Sequence, residues 1–148
     1  MPYEKTYTVR WADMDPNVHM RHSAYTEYAP QVRLEYLADQ GFSMVEFTQL
    51  GLGPILFREE TRFLKEISMG EAIRVTVELG GISADGSRWC LIHTIYKANG
   101  HEAAIVTVDG AWLDLRRRKL TLPPPELTAA FTNITRHSSY ADIVREGK

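Results

Sequence analysis

Between Trp11 and Tyr25 the chain reads Trp-Ala-Asp-Met-Asp-Pro-Asn-Val-His-Met-Arg-His-Ser-Ala-Tyr. Two carboxylates (Asp13, Asp15), two imidazoles (His19, His22), an amide (Asn17) and a guanidinium (Arg21) share this short stretch. A carboxylate can take a proton from water or attack an electrophilic carbon, and an imidazole titrates near neutral pH. The opening of a helix leaves backbone N–H groups without partners, which stabilise negative charge. A carboxylate and a helix start in one turn can therefore face a single ligand. Carboxylates and imidazoles also bind metals, but no recognisable ligand spacing is present and no metal is called for.

The cluster lies between a strand and a helix. From Tyr3 to Trp11 the apolar residues Tyr3, Tyr7, Val9 and Trp11 alternate with Glu4, Thr6, Thr8 and Arg10, the period of a half-buried strand. From Ser23 to Gln40 the residues Tyr25, Tyr28, Ala29, Val32, Tyr36 and Leu37 recur at helical spacing. Ser23 suits an N-cap and Gly41 the residue past the C-cap. An interior proline interrupts a helix, so Pro30 predicts a first turn near Ser23 and a main body from Pro30 onward. After a connector with Gly41, Gly51 and Gly53, strands are expected over 54–64, 72–82, 87–98 and 102–113. Asp85-Gly86 and Asn99-Gly100 are hairpin dipeptides, which makes the last three strands an antiparallel meander. Leu127, Ala130, Phe131 and Ile134 predict a short terminal helix behind Pro123-Pro124-Pro125. The expected organisation is one α+β domain over 1–135 and a polar tail over 136–148 that frays.

Composition sets the outer bounds. The chain has 148 residues, 44% hydrophobic and 24% charged, enough for one domain with a real core. A net charge of −2 gives no drive toward nucleic acid or an anionic membrane. Cys90 is the only cysteine, so no disulfide can form within the chain, which suits a reducing compartment. The first residues lack an apolar signal core and no apolar run reaches membrane-spanning length, so a cytoplasmic location is expected.

The strand, the Asp13-x-Asp15-Pro16 turn, the helix and the four following strands together resemble the hotdog fold, and more narrowly the 4-hydroxybenzoyl-CoA thioesterase family. The resemblance spans about 6–123 and is sharpest from Asp13 through His19 to Tyr25, with Arg33 on the helix where the family often has arginine. It implies a five-stranded antiparallel sheet wrapped around one long central helix. It also implies hydrolysis of an acyl-CoA thioester, with no cofactor beyond the CoA of the substrate. Carried over by position, Asp15 falls on the catalytic carboxylate. His22, seven residues later, falls where a backbone N–H polarises the thioester carbonyl. Many members read Gly-His-x-Asn-Asn where this chain reads Val18-His19-Met20-Arg21-His22.

Asn17, His19, Arg21 and Tyr25 are the candidate substrate contacts beside the two catalytic positions. Arg117, within the run Arg116-Arg117-Arg118-Lys119, can meet CoA phosphates through its guanidinium fork. Asp13 reads as structural, His93 and Cys90 as packed. The partner is an acyl-CoA, with neither nucleic acid nor membrane. Strands apolar on both faces, and the family's habit of joining sheets, predict a homodimer or a tetramer. Two other functions fit less of the pattern. A hotdog hydratase would need Asp-x-Asn-Pro-x-His, and Asp15-Pro16-Asn17-Val18-His19 is one residue short of it. A non-catalytic acyl-binding module would keep the fold and lose the chemistry. The acyl group stays open, since Tyr25, Tyr28, Met44, Phe47 and Phe57 suit an aromatic pocket, a fatty-acyl pocket or a core.

Overall fold

The computed structural model describes residues 1–144. Strand β1 (Tyr3–Thr8) leads through a 3₁₀ turn (Trp11–Asp13) into helix α1 (His22–Asp39) and a short helix α2 (Met44–Leu50). Strands β2 (Leu52–Phe63), β3 (Ala72–Ile82), β4 (Arg88–Tyr96), β5 (Glu102–Asp114) and β6 (Lys119–Thr121) follow, and helix α3 (Pro125–Thr132) comes last. The strands form one antiparallel sheet in the order β1-β3-β4-β5-β2, with β6 also pairing β5. The α+β class and the β3-β4-β5 meander are as expected.

Several details differ from the expectation. The sheet has six strands, not five. The sixth, β6, is only three residues long, too short to show an alternating pattern, and it hides behind the basic run of the preceding turn. Helix α1 is the longest of three helices among the described residues, not a lone one. Helix α2 falls in the stretch read as a connector, yet its start was visible in the sequence: Ser43 and Glu46 form a capping box, and Gly51 closes the helix at φ 67°. The two hairpins are also looser than their dipeptides suggest. Ser83 pairs Arg88 across a four-residue loop and Lys97 pairs His101 across a three-residue one. Only the glycines, Gly86 at φ 76° and Gly100 at φ 89°, take the left-handed conformation.

Helix α1 runs unbroken through Pro30 and buries Ala24, Tyr25, Ala29, Val32, Tyr36 and Leu37 against the sheet. It begins one residue before Ser23. The Ser23 hydroxyl accepts a 2.6 Å hydrogen bond from the Arg21 guanidinium, so no side chain caps the helix. At the other end Gly41 (φ 91°) donates to the Ala38 carbonyl and Phe42 to that of Leu37, a Schellman closure. Trp11, expected to face inward at the end of the first strand, is 80% exposed, because β1 stops at Thr8 and the chain turns into the 3₁₀ segment. One core cluster surrounds Trp89, Trp112, Phe47 and Phe131, and a second surrounds Val9, Met20, Tyr25, Ile67 and Ile73.

The polar stretch after residue 135 was expected to fray. Strand β1 covers β3 only as far as Val77, which leaves the rest of that edge with unpaired backbone groups. The tail fills the place: Leu79 donates to the Thr135 carbonyl, while His137, Ala141 and Ile143 donate to Leu79, Gly80 and Ile82. Gly81 permits this approach, since a Cβ there would stand 2.5 Å from the Ala141 carbonyl oxygen. The remainder of the expected tail, 145–148, lies outside the described residues. No helix among the described residues is long and apolar enough to cross a membrane.

Candidate active site

The turn that holds the candidate residues is anchored at both ends by buried groups. Asp13, only 1% exposed, accepts hydrogen bonds from the Arg10 backbone N–H (3.0 Å), the Arg10 guanidinium (2.9 Å) and the Tyr28 hydroxyl (2.5 Å). Burial pushes its carboxyl up, but the bonds from Arg10 and Tyr28 outweigh burial and hold it at about 2. Burial and the bond to Asp13 raise Tyr28 to about 12. Asp13 thus ties the 3₁₀ turn to the middle of α1, the structural role its sequence context suggested. At the far end Met20 donates to the Ile67 carbonyl and Arg21 to that of Asp13.

Between these anchors a tight loop presents Asp15. The Asp15 N–H donates to the His19 carbonyl at 2.9 Å, and Val18 takes a left-handed φ of 66° to close the loop. One Asp15 carboxylate oxygen accepts from the backbone N–H groups of Asn17 (2.9 Å) and His19 (3.4 Å). The other lies 3.0 Å from His19 Nδ1. An ionised carboxylate only accepts, so that ring nitrogen carries the proton. The His19 Nε2 atom then points toward Glu66, 3.6 Å away. Asp15, His19 and Glu66 thus form a chain of contacts from one wall of a cleft to the other.

The cleft holds about 350 Å³. One wall is Asp15, His19, Met20, His22 and Tyr25, and the other is Phe63, Leu64, Lys65 and Glu66 at the end of β2. The second wall is fixed by backbone bonds from Leu64 and Lys65 to Ala103, and by the Tyr25 hydroxyl donating to the Lys65 carbonyl at 3.0 Å. Phe63 meets the Tyr25 ring edge-on at 5.2 Å and the His22 ring at 6.5 Å. His22 is the first residue of α1, so its backbone N–H has no acceptor within the helix.

The structure therefore brings Asp15, His19, His22 and Tyr25 together around one cavity. Asn17 is exposed and contributes its backbone N–H to Asp15 instead of a side chain to the cleft. The Arg21 guanidinium turns away, toward the Ala12 carbonyl, the Ser23 hydroxyl and Glu27. Arg117 sits in the turn between β5 and β6, whereas the cleft wall pairs with the start of β5. At about 3.4 Å per residue the length of β5 separates them by roughly 40 Å within the chain. Phe63, Leu64, Lys65 and Glu66 were not foreseen: they reach the site only through the pairing of β2 with β5, a contact between distant parts of the sequence.

A family model described as thioesterase-like superfamily matches residues 9–131. The 1,4-dihydroxy-2-naphthoyl-CoA hydrolase of Thermosynechococcus vestitus is 28% identical over 120 residues, which cover 80% of this chain and 81% of that protein. Among solved structures, the protein SAV2348 of Staphylococcus aureus, in complex with CoA, superposes with a TM-score of 0.83 at 22% identity, over 98% of this chain and 89% of that one. The 1,4-dihydroxy-2-naphthoyl-CoA thioesterase Slr0204 of Synechocystis superposes with a TM-score of 0.80 at 16% identity, over 90% and 97%. These structures share the fold.

Proposed function

The chain belongs to the thioesterase-like superfamily, and from that premise we propose that it hydrolyses an acyl-CoA thioester to a free acid and CoA. The observation that carries this reading is the Asp15 carboxylate, held by its own loop at the rim of a cleft that the first turn of α1 also borders. Thioester hydrolysis needs an attacking group and a donor for the developing oxyanion. Asp15 supplies the first, as base toward water or as nucleophile through an acyl anhydride. The His22 N–H supplies the second, backed by the positive end of the helix. His19 acts as a positioning residue, since its Nδ1–H orients the carboxylate. Tyr25, with Phe63, borders the place of the acyl group. This chemistry asks for no cofactor beyond the CoA of the substrate.

A second copy completes the site in this reading. Strand β2 is twelve residues long, lies at the edge of the sheet and exposes Phe57 (56%), Phe63 (51%) and Leu56 (40%). An uncovered edge of that length and character invites pairing with another chain. Antiparallel pairing of β2 with its copy sets the beginning of one β2 beside the end of the other. The partner's Arg117, in the turn just past the β5 end that pairs Leu52, then comes to the rim of the cleft at Phe63. A guanidinium there suits the CoA phosphates. The finer form of the reading is a cytoplasmic homodimer with sites shared between subunits.

The test is thiol release from a panel of short, long, branched and aryl acyl-CoAs. The wild-type protein is expected to turn over at least one class. Asp15→Asn is expected to lower kcat/KM by about 10²–10⁴-fold, the usual contribution of a positioned base. Hydrolysis by the variant at the wild-type rate overturns the role of Asp15.

A further inference from the structure

Farther along α1 from His22 lies a second cavity of about 220 Å³, lined mainly by apolar side chains, with Arg33 as its one charged residue. The Arg33 guanidinium donates to His93 Nε2 at 3.0 Å. His93 is fully buried, and its Nδ1 lies 3.0 Å from the Thr76 carbonyl, which can only accept. Nδ1 therefore carries the proton, Nε2 is the acceptor and the ring is neutral. Burial, reinforced by the charge of Arg33, holds His93 down at about 3, in keeping with that state. Arg33 thus has a hydrogen-bond partner and no counter-ion: among the described residues no carboxylate comes within ion-pair distance of it, and Glu59 on β2 is the acidic group whose field reaches it. Trp89 borders the same cavity, is 2% exposed, and its indole N–H has no hydrogen-bond partner among the described residues. A half-buried cation with no ion-pair partner carries a desolvation cost that an anionic ligand would remove.

The cavity and the Asp15 cleft both border α1 and β2. Along α1, His22, Thr26, Pro30, Arg33 and Leu37 succeed one another at three- and four-residue steps and so share one face. Along β2, Phe63, Thr61 and Glu59 stand opposite Ala104, Val106 and Val108, and so turn to the helix side of the sheet. Leu56, beyond the bulge at Phe57, continues that row into the cavity. From His22 to Arg33 the shared face of α1 measures roughly 16 Å at the rise of an α-helix. A two-carbon acyl group cannot span this distance, and an extended chain can. Pairing of β2 with a second copy would roof that face.

We propose that the face between cleft and cavity is an acyl channel and that Arg33, in the cavity that Trp89 borders, recognises a carboxylate at the far end of a long acyl chain. The inference rests on the acyl-CoA reading of the Asp15 cleft and names the substrate class. The experiment compares two CoA thioesters of equal length, dodecanoyl-CoA and its ω-carboxy counterpart, with benzoyl-CoA as a short reference. The ω-carboxy thioester is expected to show a kcat/KM at least about tenfold higher than dodecanoyl-CoA, as a charge-assisted contact provides. Arg33→Gln is expected to bring the pair to near equality. Equal rates for the two thioesters in the wild-type protein overturn the proposal, whether or not the variant folds.

A binding measurement separates this inference from the thioesterase reading. The Trp89 indole N–H signal in a nitrogen-edited NMR spectrum, assigned with Trp89→Phe, is followed while free dodecanoate or dodecan-1-ol is added. Dodecanoate is expected to shift that signal and dodecan-1-ol to leave it in place. If both or neither shift it, the carboxylate site falls. If no acyl-CoA is hydrolysed while dodecanoate still shifts the signal, the thioesterase reading falls and the site stands.

Discussion

Asp13 and Asp15 stand two positions apart and meet opposite surroundings. Asp13 is buried and holds Arg10 and Tyr28, while Asp15 is bonded by its own loop at the rim of a cleft. Replacing Asp13 with Asn keeps the shape and removes the charge that Arg10 and Tyr28 face. Asp13→Asn is expected to lower the free energy of unfolding at pH 7 by about 2 kcal/mol, read from urea denaturation. The same group sets a pH dependence. Its folded-state value, about 2, lies below the ordinary carboxylate value of 3.8. Its stabilisation is therefore complete above pH 4 and is lost as pH falls toward 2. Wild-type stability should drop over that window more steeply than that of Asp13→Asn. The family resemblance set Asp15 apart from Asp13, and it left Arg21 and Asn17 as substrate contacts where the folded chain bonds the Arg21 guanidinium to Ser23 and Glu27 and uses the Asn17 backbone N–H on Asp15. Which way a long or exposed side chain points depends on partners such as Ser23 and Glu27, two and six residues further along the chain.

Elements show where local pattern governs and where it gives out. Strand β3 buries Ile73, Val75, Val77 and Leu79 as their alternation predicted, because one face of it packs on the helix layer and a register step would turn that face outward; Thr76 on the other face is buried as well. Helix α1 kept its apolar stripe and ran through Pro30, since burial of six residues outweighs one lost backbone bond. Gly110 in β5 is an element-level constraint that no pattern revealed. A Cβ there would lie 2.4 Å from the Trp89 ring and 2.6 Å from the Ile55 carbonyl oxygen. Neither the backbone of β2 nor a tryptophan packed between Trp112 and Phe131 has room to give. Gly110→Ala is expected to destabilise the fold by about 1–3 kcal/mol, seen as a lower urea midpoint with unchanged slope.

For the whole molecule, the open edge at β2 and the position of Arg117 make one prediction together. In solution the protein is expected to sediment at twice the chain mass. Arg117→Ala is expected to raise KM for acyl-CoA more than it changes kcat. If each cleft takes Asp15 from one chain and Arg117 from the other, mixing Asp15→Asn with Arg117→Ala subunits and allowing exchange rebuilds one intact site per mixed dimer. About a quarter of wild-type turnover at low substrate should return, as two-fold symmetry requires. No gain on mixing would place both residues in the service of one chain's site, against the β2 pairing.

Read alone, the sequence determined the α+β class, the run of strands after one long helix, and the turn that holds Asp15 and His22. These follow from periodicity and from short-range turn chemistry, which act between residues a few positions apart. Tertiary structure alone decided the facing wall at 63–66, the charge of Arg33 set against a neutral His93, and the tail laid along β3. Each of those joins segments tens of residues apart, and such meetings depend on strand register and on backbone groups that must find partners, which no local window of sequence contains.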